Sequence, residues 1–127
     1  MRKANSSPNY FKTQPDISEH MRMVLLNWLI DVHLKYKLQP QTLFITVNLI
    51  DEYLRKQVLY RKELQLLGIT ALWIAAKYEE TYQVPKLSNL VYVCDSAYTE
   101  QQILEMESKI LVQMKFDFLK ISSFTYF

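Results

Sequence analysis

Residues Lys62–Glu80 read KELQLLGITALWIAAKYEE, and from Leu64 to Ala76 no position carries a charge. At 100° per residue the run is apolar nearly all round, the pattern of a helix enclosed by other helices. Gly68, Ala71, Ala75 and Ala76 are small and let neighbouring helices approach closely. The run is too short to cross a bilayer, which takes about 20 apolar residues. A central helix over about Arg61–Glu80 is therefore predicted. Lys77 lies four residues after Trp73, so its stem can run along packed surface with the head group out. A cation there also suits the C-terminal helix dipole. Glu79 and Glu80 fit that dipole poorly and read as a solvated helix end.

Four further helices surround this one. The first runs from Ser18, a good N-cap, to about Tyr36. LQPQT breaks it, because Pro40 disfavours helix at Gln39 and suits a first turn. The second covers about Gln41–Lys56 and the predicted central helix is the third. TYQVP ends that one, and KLSNLVYVCD (Lys86–Asp95) reads as a short fourth. Thr99 caps the fifth, EQQILEMESKILVQMKF, with Gln102 at the N3 position of a capping box. No strand alternation, repeat or low-complexity tract appears. The fold class expected is all-α, a five-helix bundle with a central third helix. Residues 1–15 are polar, contain Pro8 and Pro15, and read as a flexible lead-in to a helical domain over 16–118.

The first helix has two apolar stripes facing apart. Met21, Val24, Leu25, Trp28 and Val32 form one, and Met23, Leu26 and Ile30 the other. Asn27 and Asp31 separate them on one side and Arg22 on the other. Two readings stand: both stripes are core, which burial statistics favour, or one stays at the surface as a binding site.

No chemistry assembles. The 127 residues are 50% hydrophobic and 22% charged, with one glycine, which leaves no glycine-rich phosphate loop. A lone Cys94 leaves no internal disulfide and no cysteine zinc site, and fits a reducing compartment. His20 and His33 sit about 20 Å apart on one helix and read as two surface histidines. Neighbouring acids such as Asp51 and Glu52 point to different faces. A net charge of +2 with scattered basic residues does not suit nucleic acid or an anionic membrane. The N-terminus lacks the apolar core of a secretory signal. A non-enzyme with no cofactor, no metal and a protein partner is expected.

The ordered motifs resemble the cyclin box. MRMVLLNWLIDVHLKYKLQPQTLFITVNLIDEYL is similar to the opening of mitotic, A- or B-type, cyclins. KELQLLGITALWIAAKYEE and VYVCDSAYTEQQILEMESKIL continue the match. FDFLKISSFTYF is similar to the junction into a second cyclin repeat, so residues 119–127 are expected to begin that junction, with the repeat itself absent. The likeness covers about residues 10–127. It implies a regulatory subunit that binds and activates a cyclin-dependent kinase, controls cell-cycle progression, and resides in nucleus and cytoplasm.

Residue by residue, the resemblance implies an internal ion pair of Arg22 and Asp51, with Leu66 a core position. Lys77 and Glu107 match the residues that contact the kinase's regulatory helix. Met21, Val24, Leu25 and Trp28, completed by Leu64 and Gln65, match a docking patch for substrates or inhibitors carrying Arg-x-Leu motifs. Asp31 matches the acid that meets the arginine. Asn27, Met23, the longer TYQVPKL and KISSF depart from the mitotic pattern. Two other readings remain open: a cyclin-fold transcription initiation factor, and a truncated chain that docks ligands without activating a kinase.

Overall fold

The computed structural model describes residues 14–80 and 84–113. Among them the chain forms α1 (Glu19–Lys35), α2 (Pro40–Lys56), a 3-10 turn (Arg61–Glu63), α3 (Leu64–Glu79), α4 (Leu87–Val93) and α5 (Glu100–Gln113). No strand occurs among the described residues. The predicted all-α, five-helix bundle is what folds. The end of the fifth helix at Phe116, most of the lead-in and the junction over 119–127 lie outside the described residues.

α3 is the central element. Leu67, Ile69, Ala71, Leu72, Ala75 and Ala76 are wholly shielded from solvent. The helix packs chiefly on α2, then on α5 and α1. Leu29, Ile45, Leu49, Ile50, Leu90, Ile103 and Ile110 close the core around it. The chain's one glycine serves this packing. A Cβ on Gly68 would sit 2.8 Å from Leu25 Cδ1, closer than carbon atoms tolerate, so the Leu25 side chain of α1 packs on bare α3 backbone and would have to shift for any side chain there.

Local signals set the helix ends. Ser18 Oγ accepts the Met21 N–H at 3.2 Å and starts α1. Thr99 Oγ1 accepts the Gln102 N–H at 3.1 Å while Gln102 Oε1 accepts the Thr99 N–H at 2.8 Å, the predicted capping box. α1 stops in a Schellman turn, with Lys37 N–H on Leu34 O and Leu38 N–H on His33 O, both at 3.1 Å. Lys37 occupies the left-handed position there (φ 55°), where glycine is usual.

Three side chains differ from the sequence reading. Glu80 is not a solvated helix end: its Oε2 accepts the Gln39 N–H at 2.5 Å and the Thr42 hydroxyl at 2.7 Å. Gln39, the N-cap of α2, offers no side-chain cap of its own, so a carboxylate 41 residues away caps that helix. His33 is not on the surface; it is buried and Nε2 pairs with Gln39 O at 2.8 Å. Gln14, within the expected lead-in, is buried too. Its amide donates to Leu54 O and Gln57 O, both at 2.6 Å, and its Oε1 accepts the Leu59 N–H at 3.1 Å.

α1 also turns a different face inward. Arg22, Leu25, Leu29, Val32 and His33 are its buried residues, a regular helical spacing that includes two polar members. The apolar stripes straddle that face. In the first, Leu25 and Val32 are buried while Val24 is 55% exposed. In the second, Met23 and Ile30 are exposed. Neither stripe is wholly core.

Candidate functional site

What allows α1 to bury an arginine is its partner. Arg22 Nε donates to Asp51 Oδ1 at 3.0 Å and Nη2 to Oδ2 at 2.9 Å, a two-pronged bridge to α2. Both side chains are nearly enclosed, 9% and 13% exposed. Leu66, expected as a core position, is buried.

Lys77 and Glu107 come from α3 and α5, 30 residues apart, and meet. The Lys77 ammonium pairs with Glu107 Oε2. It also sits over the Trp73 ring, 3.6 Å from the centroid. The pair stands at the surface, with the lysine side chain 40% exposed and the glutamate 17%. Helical spacing puts Leu104, Glu107 and Leu111 on one face of α5. Leu104 and Leu111 are exposed. An ion pair is thus set beside accessible apolar side chains.

A second feature lies where the start of α3 meets α1. Met21, Val24, Leu25, Trp28, Leu64 and Gln65 line a pocket of about 490 Å³, joined by His20 and Arg61. The six residues expected as a docking patch therefore share one cavity. Asp31 does not line it. With Trp28 it lines an adjoining depression of about 420 Å³, together with Val32, Lys35, Tyr92, Val93 and Asp95. Two carboxylates thus flank the groove on that side, and Arg61 and His20 on the other. Asp16 holds Arg61 there, accepting its N–H at 2.7 Å and its Nε–H at 2.9 Å. The backbone N–H and then the guanidinium of Arg61 keep the Asp16 carboxyl below the ordinary carboxylate range.

Sequence reasoning missed His20, Arg61, Asp95 and Tyr92. His20 had a signal, one helical turn before Val24, but no spacing rule joins α1 to the turn before α3 or to α4, so nothing local pointed to the other three. Trp73 had a signal, its place four residues before Lys77. Cys94 is buried, and burial pushes its thiol up to about 11. No group of three or more His, Cys, Asp or Glu among the described residues could hold a metal ion. No helix among them is long and apolar enough to cross a membrane.

Comparison with known proteins bears on this geometry. A family model described as "Cyclin, N-terminal domain" matches residues 1–119. The chain is 52% identical over 110 residues to Cyclin-B2-1 of Oryza sativa subsp. japonica, covering 87% of this chain and 26% of that protein. It is 51% identical over 102 residues to Cyclin-B1-3 of Arabidopsis thaliana, covering 80% and 24%. To G2/mitotic-specific cyclin-2 of Medicago sativa it is 49% identical over 111 residues, covering 87% and 34%. It thus spans about a quarter to a third of the length of these relatives. Among solved structures, the X-ray structure of a viral cyclin from herpesvirus saimiri superposes with a TM-score of 0.75. That match has 24% identity over 90% of this chain and 48% of the other, a likeness of fold.

Proposed function

Since the chain belongs to the cyclin family, we propose that it is a cell-cycle regulatory subunit, itself without catalytic activity, that binds and activates a cyclin-dependent serine/threonine kinase. The observation that carries this reading is the convergence of Lys77 and Glu107 on one outer face beside Leu104 and Leu111. A mobile helix of the kinase lies against that face. The Lys77 ammonium turns to main-chain carbonyls at its end, Glu107 accepts from a donor beside it, and the apolar side chains exclude water from both. Binding only the active arrangement of that helix shifts a two-state equilibrium in the kinase, which is what activation requires.

The α1–α3 groove supports a second contact. Its apolar pocket takes the leucine of an Arg-x-Leu segment, and the carboxylates of Asp31 and Asp95 take the guanidinium. Leu64 and Lys77 are 13 positions apart on α3, so the two sites stand about 20 Å apart by helical rise. A substrate is tethered without covering the kinase face. Action in nucleus and cytoplasm belongs to the same reading.

The test titrates the chain against purified cyclin-dependent kinases and follows histone phosphorylation. Lys77→Ala with Glu107→Ala weakens binding about tenfold or more, as truncation of an interface anchor does. Unchanged affinity would remove the activator reading. A docking-only role is the second reading, supported by the apolar pocket that Met21, Val24, Leu25, Trp28, Leu64 and Gln65 line. It is separated by Arg-x-Leu peptide binding without any kinase stimulation.

A further inference from the structure

An ammonium on an exposed helix end ordinarily samples many rotamers, and ordering it at an interface opposes binding. Lys77 is not in that state. Trp73, one helical turn earlier, lies under it with the ring centroid 3.6 Å from Nζ. The ring is itself held. Trp73 Nε1–H donates to Pro85 O at 3.1 Å, and the indole is partly buried against the hydrophobic core. The Pro85 bond fixes the rotation of the indole plane, so the face offered to Lys77 does not swing away. Glu107 takes the same ammonium from α5. Two supports from different elements therefore fix one nitrogen at the surface, one electrostatic and one aromatic.

We propose that Trp73 is a positioning residue: it holds the Lys77 ammonium in the place from which it meets a partner, and ties that place to the α3–α4 connection through Pro85. This rests on the reading of Lys77 as a kinase contact, although the holding itself is a property of the free chain. Glu107 alone leaves the lysine stem free to pivot about the carboxylate. The ring removes that freedom, and a cation held over an aromatic face at an exposed site is stabilised by a factor of about two to five.

Competitive acylation with acetic anhydride, mapped by peptide mass, tests the holding in the free chain. In Trp73→Leu, Lys77 reacts about two to five times faster, while Lys62 and Lys109, both exposed, keep their rates. Trp73→Phe retains a ring face and stays closer to the original chain. An unchanged Lys77 rate overturns the proposal, as does a parallel rise at all three lysines, which reports general loosening. Trp73→Met gives the same reading should Trp73→Leu not fold. Kinase titration then asks what the holding does. Trp73→Leu weakens binding about two- to five-fold in the Lys77 chain and has no effect in Lys77→Ala. Equal losses in both backgrounds assign the indole to packing and overturn the proposal. If Lys77→Ala leaves kinase affinity untouched while the acylation contrast persists, the kinase reading of Lys77 falls and the positioning role stands.

Discussion

Replacing Arg22 by Met removes one half of the bridge that joins α1 to α2 and leaves Asp51 charged in a site where its side chain is only 13% exposed. At an effective dielectric of about 20, typical of such sites, two charges at about 4 Å attract by about 4 kcal/mol. Stranding one partner of an enclosed pair costs about 3–5 kcal/mol, whereas an exposed pair contributes about 0–1. The geometry decides between these values. Two contacts at 3.0 and 2.9 Å, with both side chains largely enclosed, belong with the former. Arg22→Met and Asp51→Asn should each destabilise the chain by about 3 kcal/mol, a large part of a total of about 5–15. The double variant should lose about 2 kcal/mol less than the sum, the signature of a shared interaction. Equilibrium urea unfolding is the assay, with unchanged m-values as a check on two-state behaviour. Urea is uncharged, so the cycle can be repeated in high salt. The coupling should persist there, because water and ions screen enclosed charges little. Losses that add to within about 0.5 kcal/mol, or a coupling that vanishes in salt, would refute the view that pairing with Asp51 lets α1 bury its charged face.

Other expectations follow from the same contacts. Glu80→Ala leaves the N-terminus of α2 without its cap and should destabilise by about 1–2 kcal/mol by chemical denaturation, with Glu80→Gln recovering part of the loss. An effect near zero would return Glu80 to the solvent-facing role read from sequence. Lys37→Gly relieves a left-handed lysine and should stabilise by about 0.5–1 kcal/mol, raising the melting temperature by a few degrees; a lower melting temperature would contradict the strain. Cys94 should resist iodoacetamide in the folded chain at pH 8 and react once urea unfolds it. Its folded thiol stands near 11 against an ordinary value of 9.0, so its contribution is fully present below pH 9 and is lost as pH rises through 11. Cys94→Ala should flatten the alkaline limb of a stability–pH curve, and an unaltered limb would exclude burial of the thiol as its cause.

The functional side chains show how chemistry and geometry divide. Lys77 is conspicuous in the sequence because an uncharged run ends on it. Its use depends on Glu107, which nothing within a helical turn could locate. The apolar residues of the α1–α3 pocket were readable as a stripe, but the pocket exists only where Leu64 and Gln65 close its other wall. Arg61 joins that wall because Asp16 grips it from the strand of chain before α1, an arrangement with no local signature.

The sequence by itself determined the helices and most of their starts. Ser18, Pro40, Thr99 and Gln102 act on backbone groups within a turn, and the uncharged run from Leu64 to Ala76 suits only an enclosed helix. Such effects operate over a few residues and need no knowledge of the rest of the chain. The tertiary structure alone decided which face of α1 lies inward, that Glu80 caps α2, that Gln14 and His33 are buried, and that Lys77 shares its charge between Glu107 and Trp73. Each depends on a polar group meeting a partner outside its own helix. Burial of a charge or an amide is unfavourable in isolation and acceptable once paired, so the sign of its preference is unknown until packing brings the partner near.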